Sequence, residues 1–169
     1  MILGRALLVA VAGLLAVGAG ADERDYGPRP VAEAKLLFRA EGKGVQIYEC
    51  RAVKDEFQWV FVAPEAVLFG KDGKKFGKHF AGPAWQAEDG SKVTGEFMAK
   101  AAAPDGHSIP WLLLKATSHV GVGAMSGVDT IRRLMTKGGA APEAGCDAGH
   151  AGEEARVAYT AEYEFYAAP

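Results

Sequence analysis

The chain has 169 residues, and 19 basic against 21 acidic groups give it a formal charge of −2. That length suits one domain with a core of its own, while a mild acidic excess and basic residues spread along the chain exclude a phosphate-binding stripe, so no nucleic acid partner is expected. The sequence contains no P-loop, dinucleotide fingerprint, nucleophile elbow or His-Glu-x-x-His, which removes those enzyme classes and leaves no cofactor implied.

Behind Arg5, residues 6–21 read ALLVAVAGLLAVGAGA, an apolar run shorter than the ~20 residues of a spanning helix. One positive charge, an apolar stretch and the small residues Ala19-Gly20-Ala21 make a secretory signal peptide over residues 1–21, with cleavage expected after Ala21. No cysteine follows to carry a lipid, so no stable membrane insertion is expected after cleavage, and the destination is periplasmic or extracellular. In such an oxidising compartment Cys50 and Cys146 have a single intramolecular pairing open to them, and the bridge is expected to form. Closing a loop of about a hundred residues is worth roughly 4–5 kcal/mol in the chain-entropy account.

Residues 22–35 are charged and hold Pro28 and Pro30, which predicts an extended lead-in rather than a packed element. The domain proper is expected over residues 36–167. Val45 to Arg51 and Phe57 to Val62 are rich in β-branched and aromatic residues and read as strands, with Ala66 to Phe69 as a third. Asp89-Gly90 marks a two-residue hairpin turn with positive φ. Upstream, Trp85 and Ala87 fit one strand. Downstream, Val93, Phe97 and Ala99 alternate with polar residues, predicting one buried face.

Ile109 to Ser118 opens with a six-residue apolar run and reads as a strand buried on both faces, with Pro110 near its start where a missing donor is tolerated. Val128 to Thr136 fits either a strand or a helix, and the strand is preferred. Ala140 to Glu154 is a loop that Cys146 pins to the body. In the last strand Val157, Tyr159, Ala161, Tyr163 and Phe165 share one face, an alternation that a helix would scatter. The whole is a mainly β, single-domain β-sandwich or squat barrel of about seven to nine short, mostly antiparallel strands with long loops.

Four histidines (His79, His107, His119 and His150) lack the spacing that aims two imidazoles at a metal from one element, so no metal site is expected. The stretch His79 to Trp85 is the most unusual in the chain: Gly82-Pro83 forces a bend that can bring an imidazole and an indole to the same strand end. A ring plate beside a polar ring suits a carbohydrate or a small aromatic ligand, although a tryptophan entering a strand is more often a core residue. Arg132-Arg133 on a strand places one guanidinium on each face. Either Glu162 or Glu164 pairs with one of them, or the buried one clamps an anion with Thr136 and the Gly138-Gly139 amides.

The order of motifs resembles a family of secreted bacterial and fungal proteins known as domain of unknown function 3455. The likeness spans about residues 36–166 and is carried by Gly44-x-Gln46-x-Tyr48-x-Cys50, His79-x-x-Gly82-Pro83-x-Trp85, Asp89-Gly90-Ser91, Pro110-Trp111-Leu112-Leu113, Thr136-x-Gly138-Gly139-x-x-Pro142, Cys146 and Tyr159-x-Ala161-x-Tyr163-x-Phe165. The family pattern places a Gln and an Asn around the arginine corresponding to Arg133, where this chain has Arg132 and Met135. The resemblance implies export and a shared fold; the family has no established activity to transfer.

The residues favour a non-catalytic secreted binding module for a small-molecule or glycan ligand, with its site near His79, Trp85, Trp111, Arg133 and Thr136. The alternatives are a small hydrolase or isomerase using His79 as general base, and a structural envelope or extracellular protein without a ligand.

Overall fold

A computed structural model describes residues 22–169, so the predicted signal peptide lies outside the described residues. A short 3-10 turn, Glu23–Asp25, precedes strands β1 (Lys35–Val53), β2 (Glu56–Phe69), β3 (Lys75–Phe80), β4 (Ala84–Ala87), β5 (Lys92–Ala101), β6 (Trp111–Val120), β7 (Thr130–Gly138) and β8 (Glu154–Ala167). Each pairs antiparallel with its sequence neighbour, and β1 pairs with both β2 and β8, so one sheet closes into a barrel. Among the described residues no helix is long and apolar enough to cross a membrane, which says nothing of strands.

Of the two expected architectures the barrel is the one formed, and β1 explains why. It runs 19 residues, not the short strand expected, and its pairings shift register at Leu36/Phe38 and at Ile47/Tyr48. Bulges of this kind bend a strand without unpairing it, so β1 curls far enough to serve both neighbours and no edge is left. Its glycines permit the close approach: a Cβ on Gly44 would collide with the β2 backbone at Glu65 and Ala66.

The inward faces of the strands build the core. Ala40, Leu68, Trp85, Val93, Leu114, Ile131, Tyr159, Ala161, Tyr163 and Phe165 are all buried in one cluster, with Phe38 stacked on Phe165 at 4.6 Å between ring centres. The alternation expected of the last strand is therefore the alternation of β8. On β6, Leu112 packs against that inner cluster while Trp111 belongs to a second, outer cluster with Ala103 and Leu134, so this half of the strand is covered on both faces.

The expected disulfide is present: Cys50 and Cys146 are bonded, with Cα atoms 5.3 Å apart and a sequence separation of 96. It works with backbone bonds from Cys50 N to Glu153 O and Gly152 N to Cys50 O, and with Trp59 Nε1 donating to Ala144 O, to lay the loop before β8 against the ends of β1 and β2.

Several elements differ from expectation. Ala66 to Phe69 is not a separate strand but the end of β2, which continues through Pro64. Pro64 faces Gln46 of β1, while the β3 pairing begins only at Ala66, so its missing N–H lies beside no ladder on that side. The Lys- and Gly-rich segment 75–80 forms β3, which the sequence pattern did not suggest. Phe97 is 58% exposed rather than buried: it sits opposite Leu114 of β6, but β4 pairs only as far as Thr94 and leaves its other side without a neighbouring strand.

The Asp89 turn closes through Ala87 N to Ser91 O, with positive φ at Gly90 alone, so it is a three-residue connection. The lead-in is packed, not loose. Arg132 donates to the carbonyl oxygens of Arg24, Tyr26 and Pro28, Arg24 pairs with Glu162, and the Tyr26 ring meets Trp111 edge-on at 5.4 Å.

Candidate functional site

At the barrel end that carries the β3–β4 turn, six strands border a concavity of about 280 Å³. Phe61, Val62 and Pro64 of β2, the turn residues Ala81 to Pro83, and Leu112 and Leu114 of β6 form its apolar walls. His79, Trp85, Arg133 and Tyr163 supply the remaining lining, so three of the five residues singled out from sequence stand on one surface. Strand pairing places them: His79 on β3 is directly opposite Trp85 on β4, and Arg133 on β7 is directly opposite Tyr163 on β8.

His79 and Trp85 lie face to face, with ring centres 4.5 Å apart and planes 11° from parallel. Tyr163 tilts against both rings. Nδ1 of His79 is 2.9 Å from Ala84 O. A carbonyl only accepts, so this nitrogen carries the proton and Nε2 is left as an acceptor. Burial pushes the imidazole down to about 3, and the neighbouring Arg133 charge adds to the shift while the Ala84 bond opposes it. His79 is thus neutral across the physiological range. Tyr48, Tyr159 and Tyr163 are likewise held neutral, since burial pushes each phenol up against the pull of Arg133. The Trp85 Nε1 donor is buried without a hydrogen-bond partner among the described residues.

Arg133 is 8% exposed, and its Nε and Nη2 both donate to Pro110 O, at 3.1 and 2.8 Å. No carboxylate among the described residues forms a salt bridge with it. Arg132 differs in every respect. It points outward, bonds three lead-in carbonyls, and meets Glu164 at 3.2 Å. Burial raises the Glu164 carboxyl, but hydrogen bonds from Tyr166 and Arg39 and the charges of Arg39 and Arg132 outweigh it and hold the group below its usual value.

The other two expected site residues lie elsewhere. Trp111 is buried on the outer face of β6 beneath Tyr26 and Gly27, and alternation accounts for it: Leu112, the next residue, takes the inward position. Thr136 donates its hydroxyl to Ile109 O, and Gly138 N is taken by Ser108 Oγ, so neither joins Arg133 in an anion clamp. Asp89, the carboxylate that could have served a general base at His79 as its acid partner, does not pair with it. Asp89 instead accepts from Ser91 and from Ala124 N.

Sequence reasoning missed Phe61, Val62, Leu112, Leu114 and Tyr163 as lining. Period-two alternation, once the strand pairings were known, was the signal for Leu112, Leu114 and Tyr163, whereas Phe61 and Val62 are consecutive residues at the β1–β2 register shift, where alternation gives no guide. A second, larger groove of about 830 Å³ runs past Arg24, Arg39, Phe38, Phe76 and Glu162, and both of its arginines are already paired, Arg24 with Glu162 and Arg39 with both Glu162 and Glu164. Among the described residues no group of three or more His, Cys, Asp or Glu side chains is placed to hold a metal ion.

Comparison with curated proteins and with solved structures finds no match. A family model described as "Protein of unknown function (DUF3455)" matches residues 30–167, and the motifs quoted above fall within that span. The chain therefore belongs to the DUF3455 family.

Proposed function

We propose that the protein is an exported, non-catalytic binding module that holds a small or glycan-like ligand in the barrel-mouth concavity. The observation that carries this reading is that His79, Trp85 and Arg133, which come from three different strands, line one cavity. A small closed barrel of eight strands has room at its mouth for one small ligand. The mixture here of apolar walls with a few polar groups is the usual make-up of such sites. A purely structural protein would have no use for that arrangement. Export is supported by the apolar leader behind Arg5 and by the Cys50–Cys146 bridge.

Binding is preferred to catalysis on electrostatic grounds. A general base works best with a pKa near the operating pH, and an imidazole lowered to about 3 is a weak one. The test is a binding screen of the protein against glycans, peptidoglycan fragments and small ring compounds. Any ligand found is expected to lose affinity at least about tenfold, some 1.4 kcal/mol, in Ala81→Trp, which narrows the mouth from an exposed position, and in His79→Gln. Unchanged affinity in both variants places the ligand elsewhere. Turnover of any of these compounds that His79→Gln abolishes establishes an enzyme instead.

A further inference from the structure

Arg133 is the one strongly charged group on the cavity wall, and no carboxylate among the described residues balances it. A guanidinium does not lose its proton, so the charge is permanent. Buried charges are ordinarily paired, and the adjacent Arg132 shows the ordinary case, with Glu164 at 3.2 Å and three backbone carbonyls around it. Arg133 donates to the Pro110 carbonyl through Nε and Nη2 and reaches the Tyr163 phenol, and neither of these partners carries a charge. The other polar groups near it are neutral: a deprotonated-state imidazole at His79 and phenols that burial keeps protonated. The cavity is thus an electropositive pocket with apolar walls made by Phe61, Val62, Pro83, Leu112 and Leu114.

Building on the binding-module reading, we infer that the ligand is a small organic carboxylate with an apolar body of about single-ring size, its carboxylate serving as the counter-ion of Arg133. Three observations select that class. The missing charge is negative. The walls are apolar, so an inorganic anion, which keeps most of its hydration, would leave them poorly covered. The volume, about 280 Å³, falls at the small end for ligand sites and has no room for an oligosaccharide. The free Nε2 of His79 is an acceptor, so a hydroxyl on the ring is accommodated and a second anionic group there is not.

The experiment is calorimetric titration of the purified protein with sodium benzoate, 4-hydroxybenzoate, the neutral isostere benzamide, and sodium phosphate, repeated on Arg133→Met and Arg133→Lys. Benzoate is expected to bind at least tenfold more tightly than benzamide. Arg133→Met should erase that preference and Arg133→Lys should keep part of it, the lysine variant guarding against a methionine variant that folds poorly. Equal binding of benzoate and benzamide, a preference that survives Arg133→Met, phosphate binding more tightly than benzoate, or no binding of either carboxylate overturns the inference. Neutral rings or sugars that bind without charge preference but are lost in Ala81→Trp would leave the binding-module reading standing while this one falls. Binding that neither Ala81→Trp nor His79→Gln affects would remove both.

Discussion

Arg132 and Arg133 are adjacent in sequence and chemically identical, yet alternation along β7 sends one to the outside of the barrel and the other to its mouth. Removing Arg132 strands the buried Glu164 with fewer partners and releases the lead-in, so Arg132→Met should lower the unfolding free energy by about 3 kcal/mol. Arg133→Met removes a buried charge that has no counter-ion, and its stability should stay within about 1 kcal/mol of the parent or rise. Urea unfolding of the two variants checks the contrast. A loss of equal size in both would mean that Arg133 is a structural residue after all.

His79 gives a second prediction at this scale, with the sign fixed by its environment. Its ring takes up a proton readily when unfolded, near 6.5, and only at about 3 when folded. Between those values the unfolded chain binds more protons, so stability is full above about pH 6.5 and falls as pH drops toward 3, with a slope approaching 1.4 kcal/mol per pH unit. His150, raised by its bond to Asp147, acts in the opposite sense on an exposed loop, and Glu164 and the perturbed aspartates act at lower pH. The diagnostic quantity is therefore the difference between the parent and His79→Gln in urea unfolding between pH 7 and 5. The variant should lose most of the pH dependence; identical slopes would show that His79 is not buried neutral.

At the scale of the element, β8 was legible because its alternation is unbroken and the apolar half of β6 because its apolar run is continuous, whereas Val128 to Thr136 fitted strand and helix alike and forms the strand β7 from Thr130. The segments misread are those where local pattern and tertiary context disagree. Pro64 looked like a stop but sits where no β3 ladder needs its N–H, so β2 runs on. The segment 75–80 has little strand character of its own and is a strand because β2 and β4 flank it. Phe97 shows the reverse, a good strand residue left exposed because it extends past the end of β4. The same limit applied to the site. Trp111 was a reasonable candidate from residue type, but which of Trp111 and Leu112 faces inward depends on the register with β7, and that is set by the closed ring. Closure itself depends on Gly44, where β1 and β2 touch through their backbones. Gly44→Ala should cost about 1–3 kcal/mol, an overpacking penalty, and a thermal melt showing no loss would mean that the contact can relax.

The whole molecule is a ring fastened in two places. The Cys50–Cys146 bridge holds the long loop before β8 to β1, and the Arg132 cluster holds the lead-in across the outside of β7. Both fastenings leave the mouth open, and the Arg132 cluster balances its charges internally. The mouth does not: it keeps an uncompensated guanidinium and an unoccupied imidazole acceptor on an apolar wall. That imbalance is the central claim, and backbone amide shifts of isotope-labelled protein titrated with sodium benzoate test it most directly. The account predicts saturable shifts gathered on residues 61–64, 79–85, 112–114, 133 and 163. Shifts centred instead on Trp111, Tyr26 and the lead-in, or none at all, would contradict it.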